Sequence, residues 1–353
     1  MSDVNTNVEG DVVRAEDRVF DLKRLGRWET VTVFLLLMAV IYGATTSGED
    51  FLSGGNLNSI LSDISEIAII ALPLTLIIIA AEIDLSVASV LGLTCALMGY
   101  LWNHGWAMQM IIPAVLVIGA LAGALNGVLV TRLGLPSLAV TIGTLAMYRG
   151  LAYVVLGDEA VADFPSDFTS WGFGTFAGTQ IPNPFVLFVV LAVIFGVVLH
   201  FTGIGRSIFA MGANEEAARF SGVRVKRIKF WLFVVTGMMS ALAGVVFAFR
   251  FASARADNGV GLELSVVAVV LLGGVSIFGG KGNLLGVICA MLLLGTLRNA
   301  LTLNDVSAEV LTIVTGSLLL LSVLGPSVTA RVREALRRGR GVDAPPTPTT
   351  TTL

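Results

Sequence analysis

Charge is what this sequence has least of. Of its 353 residues only 13% are Asp, Glu, Lys or Arg, while 55% are hydrophobic, and the mean hydropathy is +0.87. Water-facing domains carry roughly 25% charged residues, so an ordinary solvated surface is excluded. Metal and redox chemistry have little material to work with. Cys95 and Cys289 both lie in apolar runs and read as packing residues rather than a disulfide or metal pair. His104 and His200 stand far apart, and no His, Cys and carboxylate group has ligand spacing. There is no GxxxxGKS or GxxxxGKT phosphate loop, so the chain does not hydrolyse ATP by itself. There is no series of buried acids and histidines to relay protons, and no repeated selectivity filter. The sequence calls for no cofactor, no metal and no nucleic-acid partner.

What it has is long apolar runs. A helix needs about 20 apolar residues to cross a bilayer core. Such runs fall near 28–46, 60–81, 85–101, 108–131, 137–156, 184–202, 229–250, 262–278, 283–300 and 309–325. The expected fold is therefore all-α, a polytopic membrane protein of about ten transmembrane helices. The runs at 262–278 and 283–300 are short and interrupted by glycine, so one of them is a candidate half-helix or re-entrant segment. Residues 1–27 are polar, and no small-residue cleavage site follows the first run, so a cleavable signal is not expected. Residues 326–353 form a basic, Pro/Thr-rich tail too polar to fold alone.

The few cations set a direction. Arg14, Arg18, Lys23, Arg24 and Arg27 precede the first run, Arg132 follows the fourth, and Arg206, Arg219, Arg224, Lys226, Arg227 and Lys229 follow the sixth. Lys281 and the cluster from Arg331 to Arg340 continue the pattern, and with ten spans all of them fall on one side. The longest loop of the other side, 157–183, carries Asp158, Glu159, Asp163 and Asp167 and no Lys or Arg. Cytosolic loops are enriched in Lys and Arg, so both termini are expected in the cytosol, with residues 28–325 as the membrane domain.

Ionisable residues at membrane depth mark partners, cavities or helix ends. The candidates are Glu66, Glu82, Asp84, Arg149, Arg250, Glu263 and Arg298. Glu66, Arg250 and Arg298 lie near run ends and read as snorkelling or capping residues. Asp84 and Ser86 stand where a helix begins and can cap its free N–H groups. Arg149 lies inside a run, so it faces the protein interior, where an ion pair with a carboxylate of a neighbouring span is expected. Gly119, Gly123 and Gly127 have the four-residue spacing of a helix-packing stripe. The denser cluster from Gly273 to Gly286 suits a kink or hinge.

The segment 203–228 is the one substantial cytosolic loop between spans. Within it Asn214 can cap a short helix whose first turn carries Glu215 and Glu216 and whose end is marked by Ser221 and Gly222. So short a helix needs something to dock on, either the membrane surface or a cytosolic partner.

These segments carry a resemblance. Glu82-Ile-Asp-Leu-Ser-Val-Ala-Ser89, Ala124-Leu-Asn-Gly127, the stretch Leu135 to Thr144 followed by Arg149-Gly150, Gly212 to Gly222, and Gly273-Gly274 with Ser276 to Gly282 are similar to motifs of permease subunits of ATP-binding-cassette importers for ribose, xylose, rhamnose and related sugars. The resemblance covers roughly residues 55–325. It implies a multi-pass protein of the bacterial inner membrane that works with a cytosolic ATPase dimer, an extracytoplasmic sugar-binding protein and a second permease, identical or homologous. The segment 212–222 would be the coupling helix, with Asn214, Glu215, Glu216, Ala217, Ala218, Arg219, Ser221 and Gly222 at the ATPase. Asp84, Ser86, Asn126, Thr141, Thr144, Arg149, Gly273, Gly274 and Ser276 would belong to the translocation pathway or its framework. Ala81, Glu82 and Ala88 replace glycines of the ribose-type pattern, which looks closer to rhamnose-type and furanose-autoinducer-type permeases, and implies a pentose or deoxyhexose as cargo. The alternatives are a branched-chain amino acid or nucleoside permease of the same superfamily, and an ion-coupled secondary transporter, which would lack the carboxylates its proton path needs.

Overall fold

The computed structural model describes residues 27–307, 309–318 and 320. Its helices are α1 (Arg27–Leu52), α2 (Gly54–Ile79), α3 (Val87–Asn103), α4 (Met108–Thr131), α5 (Ser137–Leu156), α6 (Ser166–Phe173), α7 (Asn183–Phe201), α8 (Gly203–Ala213), α9 (Glu215–Phe220), α10 (Val225–Arg250), α11 (Leu262–Leu272) and α12 (Leu284–Leu303), followed by α13 (Glu309–Leu318). Among the described residues there is no strand, only two isolated bridges, Val161 with Ala254 and Thr175 with Pro182. The polytopic all-α reading holds. Seven helices are long and apolar enough to cross a membrane, and α3, α11 and α13 are shorter apolar helices. The expected segments 1–27 and 326–353 lie outside the described residues, apart from Arg27 at the start of α1.

Two helices form the centre. α2 and α10 have 26 residues each, and their apolar windows are 83% and 72% buried. Their burial follows from composition: from Ala68 to Ala80 almost every side chain of α2 is apolar, and nearly all are under 5% exposed. The expected glycine stripe on α4 is the seam that lets α10 approach. A β-carbon at Gly123 would collide with the Phe233 carbonyl, one at Gly119 with that of Gly237, and one at Gly127 with Phe230. Small residues let backbones meet where lipid offers no hydrophobic drive. Outward faces stay apolar: Val154 on α5 is 82% exposed, Val193 on α7 62% and Phe34 on α1 59%, which suits lipid or a partner span.

Two breaks depart from simple spans. α11 has 11 residues, or about 16 Å at 1.5 Å per residue, against a hydrocarbon core of about 30 Å. The expected span at 262–278 is thus a half-helix that stops at Leu272. The chain continues without helix through Gly274, Gly279 and Gly280, all at positive φ (86°, 80° and 70°), which L side chains resist and glycine permits. The second break separates α2 from α3, where Ala81 takes φ 63°, residues 82–85 have no regular structure and Ser86 turns into α3 with helical dihedrals. Non-helical backbone at this depth is tolerated where protein surrounds it. The segment 203–228 is more ordered than a loop. It consists of two helices, α8 and α9, and a turn that leads into α10.

Candidate functional site

The cytosolic end by the charge pattern gathers three segments that lie far apart in sequence. The end of α2, the end of α8 and the turn 276–281 meet backbone to backbone. The Gly280 N–H donates to the Ile79 carbonyl at 2.8 Å. A β-carbon at Gly212 would strike the Ile79 carbonyl and the Gly280 nitrogen, and one at Gly279 would strike Ala81 and the Gly212 carbonyl. The turn is closed by Ser276 N–H to the Lys281 carbonyl at 3.0 Å and by Gly279 N–H to the Ser276 carbonyl at 2.9 Å. Gly273 ends α11 and packs on the α12 backbone at Val287.

α9 hangs directly from this junction. Asn214 accepts the Ala217 N–H at 2.9 Å through its side-chain oxygen, which is the N-cap its sequence invites. Ala218 faces inward at 3% exposure, the Ser221 hydroxyl donates to the Ala218 carbonyl at 2.9 Å, and Gly222 turns the chain at φ 88°. Glu216 and Arg219 are exposed, and the Arg219 guanidinium stands 5.8 Å from the Phe220 ring centre. Glu215 is different from its neighbour. Its carboxylate turns to Lys229 on α10, whose ammonium donates to Glu215 at 2.6 Å and to Glu82 at 2.5 Å. The Lys229 and Glu82 side chains are only 10% and 13% exposed, against 57% for Glu215. One lysine therefore bridges α9 to the irregular segment that precedes α3. Sequence reading found Glu82 and Glu215 but not their common partner, because Lys229 looked like one more cation in a basic flank. Phe220 and Phe278 were missed as well, and they stand 80% and 85% exposed.

Three of the expected pathway residues, Asp84, Ser86 and Asn126, bond to one another, and Thr141 and Thr144 lie beside them on α5. Asp84 accepts the Ser86 N–H at 2.9 Å and the Ser86 hydroxyl at 2.6 Å, and the Asn126 amide of α4 donates to that hydroxyl at 2.9 Å. Asp84, Ser86 and Asn126 are each 1% exposed or less. The Thr141 hydroxyl of α5 donates to the carbonyls of Ser137 at 2.9 Å and Ile83 at 3.3 Å, while the Ile83 N–H donates to the Ser137 hydroxyl at 3.2 Å. Thr144 adds a bond to the Thr141 carbonyl at 3.4 Å. Asp84 thus orders the turn before α3 by means of an Asx-type turn, but neither it nor the N-cap Ser86 caps a helix N–H with its side chain, although the sequence suggested that they would.

Two further expectations are corrected. Arg149 faces the interior, but carbonyl oxygens hold it and not a carboxylate: those of Ala256 at 2.7 Å, Asn258 at 2.8 Å and Ala88 at 3.2 Å. The loop 251–261 leaves carbonyls unpaired, and a guanidinium with five donors collects them. Glu66 and Arg250 are not snorkelling residues. Arg250 donates through Nε to Glu66 at 2.7 Å and through Nη1 to Asp63 at 2.8 Å, with Glu66 2% exposed. Arg298 is exposed and, among the described residues, has no ion pair.

Residues 56–323 match the family described as "Branched-chain amino acid transport system / permease component". The chain belongs to this permease family. Curated relatives run nearly end to end with it. The "Autoinducer 2 import system permease protein LsrD" of Yersinia enterocolitica is 34% identical over 323 residues, covering 89% of this chain and 96% of the relative. The proteins of that name from Yersinia pseudotuberculosis and Yersinia pestis are 33% and 32% identical over 330 residues, covering 91% of this chain and 98% of each relative. No solved structure matches the chain. Family membership and the apolar helices make this a multi-pass protein of the bacterial inner membrane, a permease subunit of the ATP-binding-cassette importer type.

Proposed function

We propose that this permease forms the translocation pathway of an importer for a small sugar-like solute, with autoinducer 2, the cargo named for its relatives, ahead of a pentose or deoxyhexose. The observation that carries the coupling part is α9: a capped helix of six residues, exposed on one side and fastened on the other by Glu215, Lys229 and the Gly212 junction. A helix this short does not persist unless its neighbours hold it, and its exposed Glu216, Arg219 and Phe220 have the charged rim and aromatic anchor of a docking surface.

ATP hydrolysis belongs to a separate ATPase dimer that grips α9 and, next to it, Phe278. Closure of the ATPase moves α9, Lys229 hands that motion to Glu82, and the Gly212–Gly280 junction hands it to the end of α2 and the broken α11. Segments 82–86 and 273–283, which no helix stiffens, are where the bundle yields. Asp84, Ser86, Asn126, Thr141, Thr144 and Arg149 hold the frame around them. An extracytoplasmic binding protein delivers the solute to the acidic 157–183 side, and a second permease completes the pathway. The family description supports a branched-chain amino acid cargo as the second reading.

The test is co-purification and transport. Tagged protein should bring down an ATPase subunit stoichiometrically, and Glu216→Arg should remove it by placing a cation on the docking face. Uptake that survives an inactive ATPase but collapses with the proton gradient would mean an ion-coupled transporter instead.

A further inference from the structure

The opposite end of the bundle holds a cavity of about 320 Å³ between α2, α10, α11, α12 and α13. That is at the small end of the roughly 300–1,000 Å³ typical of small-molecule sites. Its position follows from helix direction: Arg250 closes α10, Asp63 and Glu66 lie in the first half of α2, and Arg298 and Thr302 lie in the last turns of α12. All are at the end opposite the Lys229 junction, which is extracytoplasmic by the charge pattern.

The lining is unlike a packing defect. Four charged side chains face it, Asp63, Glu66, Arg250 and Arg298, and their formal charges cancel. Arg250 already holds both carboxylates, so neither stands unpaired to receive an ammonium group. The Arg298 guanidinium and the Ser265 hydroxyl line the same space and, among the described residues, have no side-chain hydrogen-bond partner. Phe251 forms part of the wall, its ring centre 4.2 Å from the Arg250 guanidinium, and the Phe247 ring lies tilted against it with centres 4.5 Å apart. A neutral set of charge-bearing donors and acceptors beside an aromatic face matches one ligand chemistry. Hydroxyl groups accept from guanidinium and donate to carboxylate, while the C–H face of a sugar ring lies against the aromatic ring.

We infer that this cavity is a solute site for a small uncharged polyhydroxylated molecule, a monosaccharide or sugar-like furanose, entered from the extracytoplasmic side. The inference rests on the transport reading above and adds where the cargo is first held by the permease. Arg298 and Ser265 are the contact groups, and Arg250 is the positioning residue that keeps both carboxylates in place.

The test uses the assembled importer in right-side-out vesicles, with Ser265→Cys and Thr302→Cys made separately. Cys95 is buried and Cys289 half-buried, so the unmodified protein serves as the unlabelled control. The probe is the membrane-impermeant thiol reagent methanethiosulfonate ethylsulfonate. Both new cysteines should react from outside. D-ribose, L-rhamnose or autoinducer 2 should slow the reaction about tenfold at roughly ten times its dissociation constant, and L-leucine should not. Arg298→Gln should lower solute uptake at least tenfold with ATPase assembly and ATP hydrolysis unchanged. Failure of either cysteine to react, protection by L-leucine alone, or full uptake by Arg298→Gln would overturn the inference. Absence of any ATPase partner would defeat the importer reading while leaving the labelling and protection result to stand by itself.

Discussion

The two ends of this bundle are built from different materials. At the cytosolic end, backbones from three segments interlock, with glycines on two of them, and a single lysine bridges two carboxylates. At the extracytoplasmic end, charged side chains from separate helices surround open space. The first is close-packed, with no room for a methyl group at Gly212 or Gly280. The second has room to spare. The contrast suits the lever and the receptacle proposed above for the two ends. A lever must transmit displacement without slack, and packed interiors do so because they are poorly compressible. A receptacle must exchange partners, so its polar groups cannot all be spent on one another.

The largest expected effect strikes the lever. Gly212→Val places side-chain carbon on the Ile79 carbonyl and the Gly280 nitrogen. Overpacking costs about 1–3 kcal/mol, and the Gly280–Ile79 hydrogen bond lost with it about 1 kcal/mol more. Loss of monodisperse protein on size exclusion, with no ATPase recovered, is the expected outcome. Gly143→Ala is the matched control, since nothing lies within 4 Å of its added carbon, and it should change little. Equal behaviour of the two would mean that the junction is not close-packed.

Next comes the ion bridge. Lys229→Met leaves Glu82 buried without its cation, a loss of about 3–5 kcal/mol for a buried pair broken on one side. Glu215→Gln removes a more exposed partner and should cost under about 1 kcal/mol. Thermal unfolding in detergent reads this order. The sharper readout is solute moved per ATP hydrolysed, which should fall for Glu82→Gln even where the complex assembles normally. That variant keeps Lys229 on Glu215 and cuts only the link to α3. Unchanged coupling in Glu82→Gln would reduce Lys229 to a structural pin.

Parts of the lever and of the helix seams were legible in the sequence because they are local, although the junction itself joins segments far apart. The Asn214 cap, the acidic first turn, the glycine stripe of α4 and the dense glycines from 273 are local patterns with local physical causes. The receptacle was not. Glu66, Arg250 and Arg298 each sit near a run end, and one at a time each looks like a side chain reaching for water. Only the α2–α10 contact brings Asp63, Glu66 and Arg250 together, and pairing across 184 residues leaves no spacing to read. Arg149 failed for a related reason. A buried cation suggests an anion, but an irregular loop offers carbonyls instead. The shortness of α11 was half visible, since the glycines announced a break without saying which of two runs it would shorten.

The smallest effect marks what burial contributes to the outer end. Arg255 and Asp257 form a pair there too, with Nε and Nη2 donating to the two carboxylate oxygens at 2.8 and 3.1 Å. The geometry is as good as that of Arg250 on Glu66, but both side chains are nearly half exposed, 49% and 45%. The Arg255 hydrogen bonds hold the Asp257 carboxyl below its usual range. A depressed carboxylate contributes stability above its unfolded-state pKa and loses it as pH falls through the lower folded value. Water and salt screen such a pair. Arg255→Gln should therefore leave the unfolding temperature at neutral pH within measurement error, and any small difference should disappear under acid conditions. Arg250→Gln, by contrast, strands Glu66 in the interior and should lower the unfolding temperature clearly. If Arg255→Gln proves as damaging as Arg250→Gln, the loop beyond Phe251 supports the receptacle wall as well, and the pair is holding that wall in place.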